Sequence, residues 1–160
     1  MKYFKLLLPF LFACSITSAQ LVVHVIDGDT YKVLDQGKLK TIRLANVDAP
    51  ELSQYYGKTV KASVSKLILG KIVTLDERRP DRYGRTIADV TIDGKSLDSL
   101  LVANGWAWHY VSCSLNPDLS MYQKQAMNDN AGMWKCKQNI PPWIWRKLNY
   151  KQKRLKEMCR

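Results

Sequence analysis

The stretch from Asp27 to Glu51 decides how this chain folds, because it places polar groups at both ends of two apolar runs. It begins with Asp27-Gly28-Asp29-Thr30 and ends with Arg43-Leu44-Ala45-Asn46-Val47-Asp48-Ala49-Pro50-Glu51. Between these ends, the apolar runs are separated by Asp35-Gln36-Gly37-Lys38, a sequence typical of a turn. The pattern predicts a β-hairpin whose polar ends meet at one end of a small sheet.

Three carboxylates and one guanidinium occupy these polar ends, namely Asp29, Asp48, Glu51 and Arg43. Crowded carboxylates repel one another unless a cation lies among them, and an all-oxygen set of ligands suits a hard ion such as Ca²⁺ or Mg²⁺. A neighbouring arginine would bind the anion that the metal polarises, and a phosphodiester satisfies both groups. Taken one at a time, each residue also has a structural interpretation, as a turn residue, a helix-start acid or a surface arginine.

The first 19 residues are predicted to be a secretory signal rather than part of the folded domain. Lys2 and Lys5 give a basic start, residues 6–13 are apolar, and Thr17-Ser18-Ala19 forms a small-residue cleavage pattern. The apolar run is shorter than the roughly 20 residues that a membrane-spanning helix needs. We therefore expect a periplasmic or secreted protein whose mature chain starts near Gln20.

An alternative interpretation of the same segment is a bacterial lipoprotein signal. Residues 11–14 resemble a lipoprotein box, in which Cys14 would carry the lipid. Membrane attachment is expected only in that case, since no other segment is apolar enough to span a bilayer.

The chain after residue 19 is strongly basic. It has 23 basic and 14 acidic residues, a net charge of +9, which favours polyanionic partners, with nucleic acid first and anionic membranes second. Its length suits one domain, predicted at residues 20–147, followed by a basic tail at residues 148–160.

The cysteines agree with an oxidising compartment. Cys113 and Cys136 flank the last predicted helix and are candidates for a disulfide, which leaves Cys159 as a free thiol or an intermolecular bridge. The cysteine spacings, together with only two histidines, His24 and His109, argue against a zinc site.

Periodicity predicts five strands, at residues 20–26, 30–34, 39–47, 71–75 and 85–92, and three helices, at residues 55–69, 96–103 and 119–131. Alternation in the third strand places Arg43 on the opposite face from Ile42 and Leu44. Strands followed by helices indicate the α+β class, and this order suggests a five-stranded OB-type β-barrel. Residues 141–145, Pro-Pro-Trp-Ile-Trp, are predicted to be stiff and extended, with their tryptophans packed on the domain.

Several motifs in a fixed order resemble the staphylococcal nuclease (thermonuclease) family. They are Val25-Ile26-Asp27-Gly28-Asp29-Thr30, Ile42-Arg43-Leu44, Val47-Asp48-Ala49-Pro50-Glu51, Asp81-Arg82-Tyr83-Gly84-Arg85, Leu101 to Trp106 and Gly132-Met133-Trp134. A Pro-Pro-Trp-x-Trp-Arg ending is shared with Gram-negative members, and the resemblance covers residues 21–147. It implies an OB barrel with about three helices and a Ca²⁺-dependent endonuclease that acts on DNA and RNA with little sequence specificity.

The resemblance also implies how the metal is held. Asp29 and Asp48 match the metal carboxylates, and the backbone carbonyl of Ala49 matches a further ligand. Asp27 matches an aspartate just behind the metal site. The best-known members have Thr where this chain has Ala49, so the carbonyl is kept and a hydroxyl is lost.

The remaining implied roles concern the phosphodiester. Glu51 matches the glutamate that orients or activates the attacking water, and Arg43 and Arg85 match two phosphate-binding arginines. Tyr83 matches a tyrosine that lines the nucleotide pocket, and its neighbour Arg82 is a further nucleotide-binding candidate.

Two rival functions come from other classes of protein. One is a non-catalytic OB-type nucleic-acid binder, although clustered acids that face phosphate give a binder no advantage. The other is a membrane-surface or cell-wall protein held by its basic tail. No stable protein partner is implied, and a monomer is expected.

Overall fold

A computed structural model of the protein describes residues 20–156. The predicted signal segment, Cys14 and Cys159 all lie outside the described residues. Within residues 20–156, no helix is both long and apolar enough to cross a membrane.

The described strands are β1 (Gln20–Val25), β2 (Thr30–Asp35), β3 (Lys38–Leu44), β4 (Val47–Asp48), β5 (Ile72–Pro80), β6 (Thr86–Ile92), β7 (Lys95–Ser96) and β8 (Trp108–His109). The order β3-β2-β1-β5-β6 is antiparallel throughout, and β3 also pairs with β6 in parallel. This last pairing closes the sheet into a five-stranded mixed barrel. The predicted OB-type α+β fold is confirmed.

The described helices are α1 (Gly57–Ile68), α2 (Leu97–Ala103), α3 (Leu119–Asn128), α4 (Pro142–Trp145) and α5 (Tyr150–Lys156), with a 3₁₀ helix at Gly132–Lys135. The three predicted helices correspond to α1, α2 and α3. The prediction that residues 141–145 are extended is wrong, because Pro142 occupies the first turn of α4, where its fixed φ suits a helix and its missing N–H is not needed.

Alternation along the barrel strands sorts side chains between core and solvent. Ile42 and Leu44 are fully buried in the barrel, and Arg43 points to the other face, as predicted. The apolar stripe of α1, formed by Val60, Val64 and Ile68, is buried in the same core. Each such side chain contributes about 1.5–3 kcal/mol when fully buried.

The turn between β1 and β2 packs directly against the segment after β4. A Cβ atom on Gly28 would lie 2.5 Å from Cβ of Ala49 and 2.6 Å from Cγ1 of Val60. Only glycine fits there without displacing one of these packed side chains. Gly28 therefore lets the two halves of the polar site approach each other.

The predicted disulfide between Cys113 and Cys136 is not formed. Cys113 is a free, exposed thiol, and Cys136 is disulfide-bonded to a partner other than Cys113. Since a sulfur atom takes part in only one disulfide, the pairing proposed from the sequence is wrong.

Candidate active site

One cleft of about 440 Å³ at the end of the barrel brings the predicted site residues together. Its lining residues are Asp27, Asp29, Arg43, Asp48, Ala49, Pro50, Glu51, Arg82, Tyr83, Arg85 and Arg146. All of them except Pro50 and Arg146 are predicted from the sequence as site residues. They come from the β1–β2 turn, the β3–α1 region, the β5–β6 turn and the end of α4.

Two buried aspartates are joined by one arginine at the base of the cleft. Nη2 of Arg43 lies 2.8 Å from Oδ1 of Asp48, and its Nη1 lies 3.2 Å from Oδ2 of Asp29. Asp29 also accepts hydrogen bonds from the hydroxyl of Thr30 and the amide of Ala49. These contacts hold both carboxylates in fixed orientations.

The guanidinium of Arg43 also holds the chain between β3 and β4. Its Nη1 donates to the carbonyl oxygens of Leu44, at 3.1 Å, and Val47, at 2.9 Å. Only 13% of the side chain is exposed. Most of its hydrogen-bonding capacity is therefore used within the protein, and only its outer edge faces the cleft.

Burial changes the acidity of both aspartates. It raises the pKa of Asp29 to about 6, against the lowering effect of Arg43. Burial also raises the pKa of Asp48, against the lowering effect of a hydrogen bond from Arg146. Burial is the largest cause of both shifts, so ionisation of either carboxyl is disfavoured at this position.

The donor atoms are of the kind that a hard cation prefers. The carboxylates of Asp29 and Asp48 and the carbonyl of Ala49 would supply oxygen ligands, with water to complete the shell. Within residues 20–156, however, no three His, Cys, Asp or Glu side chains form a metal-binding group. Glu51 lies in the same cleft as the two aspartates, and the Arg146 guanidinium bridges its carboxylate and that of Asp48.

Glu51 stands at the mouth of the cleft, in the turn that leads into α1. Two hydrogen bonds join it to Gln54: the Glu51 backbone N–H donates to Gln54 Oε1, and the Gln54 backbone N–H donates to the Glu51 carbonyl. The Glu51 side chain is 38% exposed. Its carboxylate can therefore reach a water molecule in the cleft.

The β5–β6 turn carries Arg85 and Tyr83 to the opposite wall. Asp81 accepts from the amides of Tyr83 and Arg85 and from Nε of Arg85, at 2.8 Å. Burial alone would raise the pKa of Asp81, but these hydrogen bonds outweigh it and lower the pKa. The Tyr83 ring lies under both Arg85 and Arg82, at 5.5 Å and 4.8 Å. No role for Asp81 is predicted from the sequence, although an aspartate at the start of a turn often accepts hydrogen bonds from the amides that follow it.

Arg146 is the site residue that sequence reasoning missed. It follows Trp145 at the end of α4, and its guanidinium lies 2.7 Å from Oδ2 of Asp48 and 2.8 Å from Oε1 of Glu51. Its sequence motif, Pro-Pro-Trp-x-Trp-Arg, indicates family membership but predicts no role for the arginine in the site. Only the folded position of α4 reveals the contact.

A wider groove of about 710 Å³ adjoins the cleft and shares Arg82, Tyr83 and Arg146 with it. Its floor includes Tyr110 and Trp143, whose rings are stacked at 5.5 Å. Trp143 thus packs on the domain, as predicted, and also lines an open surface beside the site.

A buried polar network supports the cleft from behind. Asn46 is 2% exposed, and its Nδ2 donates to Asp98 at 2.6 Å and to Asp89. Its Oδ1 accepts from the amide of Leu115 and from Arg78. Asn46 therefore ties the β3–β4 connection to three distant parts of the chain.

Comparisons with known proteins agree with this architecture. The sequence model of the family described as "Staphylococcal nuclease homologue" matches residues 41–136. An "Uncharacterized endonuclease" of Escherichia coli O157:H7 is 39% identical over 149 residues, which cover 91% of this chain and 97% of that protein. An "Uncharacterized endonuclease" of Haemophilus influenzae is 37% identical over 127 residues, covering 79% and 71%.

A plant relative shares the same region. The "Probable staphylococcal-like nuclease CAN1" of Oryza sativa subsp. japonica is 36% identical over 106 residues, covering 66% of this chain and 32% of that protein. The family match, the similar relatives and the closed barrel all support the same family assignment. The chain belongs to the staphylococcal nuclease family and is a nuclease.

Proposed function

We propose that the protein is an exported, Ca²⁺-dependent endonuclease that hydrolyses the phosphodiester bonds of DNA and RNA with little sequence specificity. The observation that carries the proposal is the single cleft in which Asp29 and Asp48 face Glu51, Arg85 and Tyr83. Acids that bind a hard cation and cations that bind phosphate are both needed for this reaction, and here they share one cavity.

Asp29, Asp48 and the carbonyl of Ala49 would hold the metal ion. When bound, Ca²⁺ polarises a phosphate oxygen and offsets the charge of the two carboxylates. Arg43 keeps the aspartates in place through its two ion pairs, at 3.2 Å and 2.8 Å. The proposed ion and Arg43 would together offset the negative charge of the two buried acids at the end of the barrel.

Glu51 would orient a water molecule and accept its proton. Such general-base assistance contributes about 10²- to 10⁴-fold to a rate. Arg85, on the opposite wall, presents its guanidinium to the oxygens of the phosphate, whose charge rises in the transition state. Asp81 fixes the direction of that guanidinium through the bond to Nε.

The adjoining groove supports a polynucleotide rather than a small phosphate ester as substrate. Arg82 and Lys147 offer positive charge along it, and the stacked rings of Tyr110 and Trp143 offer a surface for bases. The helix that lines the groove, α4, has only four residues and is too short to read a major groove, so recognition through the backbone is favoured over base readout.

Export is supported by the sequence of residues 1–19, which has the basic, apolar and small-residue order of a secretory signal. The chain after residue 19, with 23 basic and 14 acidic residues, keeps a net charge of +9, which adds attraction to extracellular nucleic acid. Lipid attachment through Cys14 is the alternative, and mass spectrometry of the protein from membranes and periplasm distinguishes the two.

The experiment that tests the activity is digestion of single-stranded DNA and RNA by the mature chain, with Ca²⁺ or with EDTA. Glu51→Gln is compared with Glu77→Gln, a control at an acid of equal exposure, 37% against 38%, outside the cleft. We expect cleavage only with Ca²⁺, lost in Glu51→Gln and retained in Glu77→Gln. Binding without cleavage in the wild type would instead support a non-catalytic nucleic-acid binder.

A further inference from the structure

Arg146 occupies a central position among the acids of the cleft. Its Nη2 lies 2.7 Å from Oδ2 of Asp48, and its Nη1 lies 3.2 Å from Oδ1 of the same carboxylate and 2.8 Å from Oε1 of Glu51. One planar guanidinium thus binds both oxygens of Asp48 and bridges to Glu51. Bidentate contacts of this kind are among the strongest charge-assisted hydrogen bonds.

The backbone that carries Arg146 is firmly anchored. Trp145 is only 4% exposed, and its indole N–H donates to Ser53 Oγ at 3.2 Å. The carbonyl of Ile140, just before α4, accepts from Gln54 Nε2 at 2.8 Å. Both anchors lie in the segment that follows Glu51, so α4 is attached to the same part of the chain that forms the mouth of the cleft.

The side chain itself is less restricted than its backbone. The Arg146 side chain is 47% exposed, against 2% for Asp48 and 13% for Arg43. Its guanidinium can therefore leave the carboxylate without unpacking α4. Arg43, in contrast, is enclosed and cannot withdraw without breaking its bonds to the backbone.

Asp48 consequently has both carboxylate oxygens engaged by arginines: Oδ1 by Arg43, and both oxygens by Arg146. A metal ion that binds Asp48 must share or replace these contacts. Two cations near one carboxylate also repel each other, and this repulsion is weakly screened in a partly buried site.

We propose that Arg146 is a further positioning residue of the active site, which competes with the metal ion for Asp48 and thereby sets the metal affinity. The inference rests on the metal site of the proposed function. Without a bound metal, the Arg146 guanidinium stabilises the carboxylates of Asp48 and Glu51. When a metal ion binds Asp48, it displaces the guanidinium from that carboxylate.

The test is calorimetric titration of the mature wild-type chain, Arg146→Gln, Arg146→Lys and Lys147→Gln with CaCl₂ at one pH and ionic strength. Lys147 is the neighbouring exposed residue of equal charge, so its variant controls for net charge alone. We expect Arg146→Gln to bind Ca²⁺ about tenfold more tightly and Lys147→Gln to change the Kd by less than about twofold. Arg146→Lys should lie between wild type and Arg146→Gln, because lysine keeps the charge but lacks the planar fork.

Thermal unfolding with and without Ca²⁺ gives a second readout that does not depend on activity. Competition predicts a lower Tm for Arg146→Gln without metal but a larger rise in Tm when Ca²⁺ is added. A residue with only a structural role would lower both Tm values alike.

Two results would overturn the inference and leave the proposed metal site intact. One is unchanged or weaker Ca²⁺ binding by Arg146→Gln, and the other is an equal gain in Ca²⁺ affinity in Lys147→Gln. Absence of Ca²⁺ binding in the wild type and in every variant would instead show that the proposed metal site is wrong, and the inference with it.

Discussion

The backbone amide of Ala49 donates a hydrogen bond to the carboxylate of Asp29, although the two residues are 20 positions apart. This bond joins the β1–β2 turn to the segment after β4. Ala49, whose carbonyl is one potential metal ligand, thus positions the carboxylate of Asp29, which is a second potential ligand. The contact depends on the close packing at Gly28, where no side chain separates the two segments.

Gly28→Ala is expected to damage both stability and metal binding. The new methyl group would contact Ala49 and Val60, at a cost of about 1–3 kcal/mol, and would separate Asp29 from Ala49. Urea denaturation and Ca²⁺ titration measure the two effects. Gly37→Ala is the control: it costs about 1 kcal/mol through its positive φ of 77°, meets no atom within 4 Å, and should leave Ca²⁺ affinity unchanged. Equal Ca²⁺ affinity in both variants would contradict the packing argument.

Arg85→Ala is expected to lower turnover by about 10²- to 10³-fold with little change in Ca²⁺ affinity, because its guanidinium acts on phosphate rather than on the metal. Arg79→Ala removes the same charge from an exposed position of the same strand–turn region and should retain activity. Steady-state cleavage rates and Ca²⁺ titrations separate the two quantities. Equal losses in turnover and metal affinity would refute the division of roles.

Asp81→Ala is expected to act through Arg85. Without its acceptor, the guanidinium loses the bond to Nε and the turn loses two amide contacts, so turnover should fall while Ca²⁺ affinity stays the same. A fall of about tenfold corresponds to about 1.4 kcal/mol of lost positioning. If Asp81 acts only in this way, Asp81→Ala should lower turnover no further in an Arg85→Ala background.

Asn46→Ala is expected to destabilise the fold by about 2–4 kcal/mol, because it leaves Asp98 and the Leu115 amide without their buried partner. The measurement is the free energy of unfolding in urea. Asn128→Ala, at an exposed asparagine of α3, is the control and should change stability by less than about 0.5 kcal/mol. Similar losses in the two variants would exclude a special role for the Asn46 network.

The buried carboxyl of Asp98 gives a pH-dependent test of the same network. Burial raises its pKa from 3.8 to about 6, so the folded state binds this proton more tightly than the unfolded state does. Its contribution therefore stabilises the fold as pH falls from about 7 to about 4. Asp98→Asn keeps the volume and an acceptor for Asn46 but removes the titration.

We expect the unfolding free energy of the wild type to rise relative to that of Asp98→Asn as the pH falls from 7 to 5. The comparison cancels other groups, such as His109, whose pKa is lowered by burial and which acts in the opposite direction. Parallel stability curves for the two proteins would show that Asp98 does not titrate in this range.

Much of the fold was predictable from local patterns. The alternation around Arg43 placed that side chain opposite Ile42 and Leu44, and the apolar spacing in residues 60–68 predicted α1. Such patterns report which face of an element is buried, and this depends on neighbours close in sequence. The motifs around Asp29, Asp48 and Arg85 were equally visible, because each lies within a short turn or strand end.

Tertiary structure alone decided which of these groups touch one another. Arg146 contacts Asp48, 98 residues away in the sequence, and Asn46 contacts Asp98, 52 residues away. No local sequence pattern predicts either contact. The failed pairing of Cys113 with Cys136 has the same origin, since spacing along the chain does not report distance in space. The sequence determined the elements and the chemical groups at their ends; the closure of the barrel and the docking of α4 determined the site that those groups form.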